Sequence, residues 1–103
     1  MKQGFRLNDY GSNIIITIID SNGEDFDLST ATFLELRFKK PDNTSISKLA
    51  SLVNTGVDGK IQYVVESGFL DMTGLWEVQA YIENPSGRWH SNINSFYVWE
   101  NLE

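Results

Sequence analysis

Ile14-Ile15-Ile16-Thr17-Ile18-Ile19 restricts the fold of this chain more than any other segment. Isoleucine loses rotamer freedom in a helix and fits a pleated surface well, so the run predicts a strand. With five isoleucines in six residues, it is expected to be a central strand. The rest of the chain agrees with it. Short apolar runs of period two recur, divided at the roughly eight-to-twelve-residue spacing of all-β sandwiches and barrels by clusters of Gly, Asn, Asp and Ser. No segment reads as a convincing helix.

Two strands alternate cleanly. Between Thr32 and Lys40, Leu34, Leu36 and Phe38 share one face, while Phe33, Glu35, Arg37 and Lys39 share the other. Between Leu75 and Glu83, Trp76, Val78, Ala80 and Ile82 form the core face, and Leu75, Glu77, Gln79, Tyr81 and Glu83 oppose them. Ser21-Asn22-Gly23-Glu24, Pro41-Asp42-Asn43-Thr44 and Asn84-Pro85-Ser86-Gly87 read as turns, with Asp27-Leu28-Ser29 as a capped one. Ile46 to Val53, with Lys48 among serines, reads as a protected edge strand. Lys60 to Glu66 reads as another strand, and Ser67 to Met72 fits a single helical turn. In the last strand, Trp89 to Glu100, the phase slips between Ile93 and Phe96, which predicts a β-bulge near Asn94-Ser95. The expectation is an all-β, immunoglobulin-like sandwich of about seven antiparallel strands in one domain over residues 1–103, with a small barrel as the alternative.

Composition narrows the function. With no cysteine, disulfides, thiolate metal sites and cysteine nucleophiles are excluded. A net charge of −6 opposes phosphate backbones and anionic lipid, so nucleic acid and membrane surfaces are not expected partners. No apolar run has the length of a signal peptide or a membrane span, and the chain reads as made and kept in the cytosol. Asn43-Thr44-Ser45 matches the glycosylation sequon, but in a cytosolic chain it is a chance match in a turn.

The residues offer little to catalysis. His90 is the only histidine, so it has no partner for a zinc site or a triad, and no phosphate loop or nucleophile elbow occurs. Asp20, Asn22, Glu24, Asp25 and Asp27 crowd oxygen ligands together, yet Gly23 falls fourth from Asp20 where an EF-hand needs glycine sixth. A solvated Asn-Gly hairpin explains them better than a calcium loop. The acids sit in turns or at alternate strand positions, where no glycosidase pair is needed to explain them. No metal and no cofactor is expected. Aromatics are the remaining signal. If Phe96 and Val98 point inward, Tyr97 and Trp99 point outward, and with Tyr81 and Trp89 they would form one patch that anchors a protein or stacks on sugar rings, the alternative being rings covered by a terminal segment or half-buried as cross-strand pairs.

Several segments, taken in order, form a pattern. They are Ile14 to Gly23, ending in Asp20-Ser21-Asn22-Gly23; Phe26-Asp27-Leu28-Ser29-Thr30-Ala31-Thr32; Leu36 to Thr44, with Lys40-Pro41-Asp42-Asn43; Gly59-Lys60-Ile61-Gln62-Tyr63-Val64; and Met72-Thr73-Gly74-Leu75-Trp76 to Ala80. This succession resembles the N-terminal domain of the phage baseplate upper protein family over about Ile14 to Val98. Two positions depart from it: Asn43 stands where the family has glycine, and Trp76 replaces its usual aromatic. The resemblance implies a structural, non-enzymatic part of a phage tail or baseplate, assembled in the host cytoplasm and carried in the virion. It would dock on other baseplate proteins or, as a homo-oligomer, on copies of itself, and hold host-binding devices. A module that binds a host-surface glycan through exposed aromatics is the alternative.

Overall fold

In the computed structural model, residues 3–20 and 22–102 are described, and Ser21 of the expected Asn-Gly turn lies outside them. They form nine strands: β1 (Gln3–Arg6), β2 (Asn13–Thr17), β3 (Phe33–Lys39), β4 (Ser45–Leu49), β5 (Ser51–Leu52), β6 (Lys60–Val64), β7 (Gly74–Asn84), β8 (Gly87–His90) and β9 (Asn94–Trp99). No helix occurs among the described residues. The larger sheet runs β1-β9-β7-β3-β4, with β8 also pairing β7, and the smaller runs β2-β6-β5. Both contribute to one core. Leu36, Phe38, Trp76, Val78 and Ile82 come from the first sheet and Ile14, Ile16, Ile61 and Tyr63 from the second, all buried. The rings of Phe38 and Tyr63 meet across the layers at 5.9 Å. The inward positions of the alternating strands are therefore where the period-two pattern put them.

Turn chemistry fixes the connections. Asp42 accepts from the amide and hydroxyl of Thr44 and Asn43 takes φ 72°, closing the β3–β4 hairpin. The Thr44 hydroxyl and amide together hold the Asp42 carboxyl below its usual range. Gly59, at φ 71°, lies so close to the Ile18 carbonyl and the Phe26 backbone that any Cβ would collide with them.

Five expectations need correction. Among the described residues the isoleucine strand β2 pairs only β6, so it is an edge strand. Ile14, Ile16 and Ile18 face the core, whereas Ile15 and Ile19 on the opposite side are exposed. The sheets are not wholly antiparallel, because β1, which carries too few apolar residues to register as a strand, pairs β9 in parallel. Nine strands replace about seven. Ser67 to Met72 is not a helical turn: Phe69 donates to the Glu66 carbonyl in a turn that Gly68, at φ 85°, permits. Finally, the bulge comes earlier than Asn94-Ser95. Tyr81 pairs His90 and Val78 pairs Asn94, which leaves Asn92 and Ile93 opposite Gln79, where regular pairing has room for one residue. The buried Ser91 anchors this break. Its hydroxyl accepts from the Ala80 amide and donates to the Asn92 carbonyl, while Gln79 Nε2 donates to the Ser91 carbonyl.

Candidate functional site

The terminal strand β9 lies between β1 and β7, so its outward side chains occupy a row with theirs. Tyr97 is directly opposite Leu75 on one side and Gly4 on the other, and Trp99 is opposite Arg6. Leu75, Tyr97 and Trp99 are 54%, 39% and 42% exposed, and the two rings are 5.3 Å apart. They make one apolar strip on the outer face of the larger sheet. Glycine at position 4 allows it to be flat: the Trp99 indole lies across the Gly4 backbone, in the space a side chain would fill.

The strip's margin is held by polar contacts. Arg6 sets its guanidinium 5.8 Å from the Trp99 ring centre and donates from Nη1 to the Glu100 carbonyl at 3.0 Å. Asn101 Nδ2 donates to the Leu7 carbonyl at 2.9 Å, and the Leu7 amide donates to the Trp99 carbonyl. A shallow depression of about 360 Å³ adjoins the rings, lined by Arg6, Thr73, Tyr97, Val98, Trp99 and Glu100. Rigid Trp and Tyr rings with an Arg beside them are the residue types that carry binding energy at protein interfaces.

Of the four aromatics expected to form one patch, the structure brings together Tyr97 and Trp99 only. Tyr81 has the expected outward phase but is buried, since Arg37 lies 4.2 Å over its ring while Phe33 and His90 pack on it at 5.9 and 5.0 Å. Arg37 is itself held by Glu35 at 2.6 Å. The Tyr81 hydroxyl donates to Glu83, which pushes its phenol above the ordinary tyrosine range. Trp89 faces the other way. It pairs Ile82, a core position, and packs on Phe26 at 5.1 Å at the sandwich margin. The extra residue at Asn92–Ile93 reverses the alternation, so Trp89 and Trp99 lie on opposite faces despite their even spacing.

Leu75 was legible as an outward apolar residue beside Tyr81. Gly4, Arg6 and Thr73 were not, because a parallel partner strand at the start of the chain leaves no local signature. Elsewhere Asp20, Asp27, Asp42 and Asp58 are engaged by local hydrogen bonds. Asp20 Oδ1 accepts from the Asn22 and Glu24 amides, and among the described residues no group of three His, Asp or Glu side chains could hold a metal. No described helix is long and apolar enough to cross a membrane.

One comparison with known proteins adds to this geometry. A family model, that of the BppU N-terminal domain, matches residues 2–102. No curated protein matches the chain.

Proposed function

We infer, for a chain that belongs to the family of the baseplate upper protein N-terminal domain, that it serves as a structural part of a phage baseplate and performs no catalysis. In this reading residues 1–103 act as one sandwich module in the virion, which docks on neighbouring tail or baseplate proteins and holds host-binding devices. The observation that carries it is the flat Leu75–Tyr97–Trp99 strip, preorganised by Gly4 and rimmed by Arg6. Preorganised rings bind with little loss of side-chain entropy.

The immunoglobulin-like description belongs to the same proposal. The order β4-β3-β7-β9 corresponds to C′-C-F-G and β2-β6-β5 to B-E-D of such domains, which supports it. A second reading rests on the depression beside the rings. Arg6, Thr73 and Glu100 set polar groups next to Tyr97 and Trp99, as a saccharide site would require.

Pull-down against the neighbouring baseplate proteins, with light scattering on the isolated chain, tests the docking reading. Trp99→Ala should weaken assembly by about 2 kcal/mol or more and leave the fold intact. A strict monomer that binds none of those proteins, yet binds host-wall polysaccharide through Trp99, would replace docking with glycan recognition.

A further inference from the structure

The sheet edges differ in how they are guarded. On one side β4 carries Lys48, paired with Glu66 at 3.1 Å, and the chain bends at Ala50 into β5 of the other sheet. On the other side β1 is four residues long and bears Gly4 and Arg6. The edge of β2, Asn-Ile-Ile-Ile-Thr, has no charge, proline, glycine or bulge. Natural sheets seldom leave such an edge unguarded.

The direction of its backbone groups follows from the pairing. Val65 donates to the Ser12 carbonyl and Ile18 to the Gly59 carbonyl, while Phe26 and Asp20 continue the ladder on that side through the Ile18 carbonyl and the Glu24 carbonyl. Even-numbered residues thus point their N–H and C=O groups at β6 and the 24–26 segment. Those of Asn13, Ile15, Thr17 and Ile19 point away from the sheet. Among the described residues, no hydrogen bond outside the ladders engages them. Thr17, Ile19 and Asp20 line one wall of a groove of about 230 Å³ whose other wall is the bulged margin of the larger sheet, with His90, Ser91, Asn92 and Asn94. Ile15 and Ile19, 40% and 48% exposed, flank the edge on its outer side.

We propose that this edge receives an extended segment of another protein as an added strand of the smaller sheet, a segment bearing a basic residue at the Asp20 end. Main-chain bonds to residues 13, 15, 17 and 19 supply the attachment, and alternate side chains supply the selectivity. Residues opposite Ile15 and Ile19 are apolar, and those turned inward meet the polar wall of Asn92, Asn94 and His90. A second copy of this chain is a poor occupant. Antiparallel pairing of two β2 strands about Ile15 would bring Asp20 of each beside Tyr10 and Asp9 of the other, in chains of net charge −6. Asp20, Glu24 and Asp25 at that end instead favour lysine or arginine.

The probe is a capped peptide, Lys-Val-Thr-Thr-Ser-Val-Ser-Thr, added at millimolar concentration to the isotope-labelled chain, with amide hydrogen exchange read by NMR. In the free protein, amides of Asn13, Ile15, Thr17 and Ile19 should exchange freely and those of Ile14 and Ile16 slowly. The peptide should protect the outward set about tenfold at a tenfold excess over its dissociation constant. Glutamate in place of the lysine should reduce that protection, most of all at low salt. Trp99→Ala should not change it, which separates this edge from the docking strip. Outward amides already protected in dilute free protein, protection that grows with protein concentration alone, no protection by the peptide, or equal protection by the glutamate peptide would each overturn the proposal.

Discussion

Gly4→Ala tests the docking strip without touching any residue that would contact a partner. The added methyl would overlap the Cζ3–Cη2 edge of the Trp99 indole, so the ring must swing off the β1 backbone. Trp99 is 42% exposed, so somewhat more than half of its surface is covered. A tryptophan buries about 150–250 Å² when fully covered, so roughly 100 Å² is at stake, or at most about 2–3 kcal/mol at ~25 cal/mol per Å². Loss of the Arg6 contact adds about 0.5–1 kcal/mol. Two effects offset this: the displaced ring keeps part of its cover, and alanine lowers unfolded-chain entropy by about 0.4–1 kcal/mol. The expected net destabilisation is about 1–2 kcal/mol, or roughly 5–15 °C in melting temperature for a domain of this size. Urea melts give the energy, and the indole N–H resonance of Trp99 reports the ring's movement. Assembly should weaken nearly as much as in Trp99→Ala, up to about 30-fold, because a misplaced anchor no longer fits its pocket. Unchanged melts together with an unmoved indole resonance would show that the ring does not rest on Gly4, and the preorganisation argument would fall.

Other outcomes follow from the core, the turns and an exposed acid, Glu66, whose titration is displaced. Trp76 is fully buried, stacks on Phe96 at 5.7 Å and donates from Nε1 to the Met72 carbonyl, so Trp76→Ala should cost about 3–5 kcal/mol in denaturant melts. A loss near zero would make it a surface ring. Trp76→Phe keeps most of the volume but orphans that carbonyl, and about 1–3 kcal/mol should be lost. The Tyr63 hydroxyl donates to Glu66 and Lys48 pairs with it, which together hold the Glu66 carboxyl below its ordinary value of 4.5. A carboxyl lowered by folding stabilises above its unfolded pKa, and this contribution fades as pH falls through the lower folded value. Stability should therefore decline below pH 4.5, and Glu66→Gln should flatten that decline; an identical pH profile would refute the assignment. Melting temperatures in chelator and in millimolar calcium should agree, because Asp20 already turns its carboxylate to the Asn22 and Glu24 amides.

The inward faces of β3 and β7 and the turn at Asp42-Asn43 were legible in the sequence because their causes are local. Side-chain alternation is set by the pleat, and a turn is set by residues that tolerate its dihedrals. The outward phase of Tyr97 and Trp99 was legible for the same reason. What lies over each residue was not. Tyr81 alternates correctly and is nonetheless buried, because Arg37, Phe33 and His90 reach it from neighbouring strands. Trp89 lost its expected face to one extra residue at Asn92–Ile93, whose position depends on Ser91 bonding to Ala80 across the sheet. The isoleucine run of β2 declared a strand but not its place in a sheet. An edge and a centre differ only in whether a second strand lies alongside, and that neighbour is supplied by chain far away in sequence. Gly4 likewise acquires its role only from Trp99, which β1 meets by a parallel pairing across nearly the whole chain. Period and turn chemistry act between residues a few positions apart, whereas cover, edge status and the making of a flat surface arise from contacts that form only when distant strands come together.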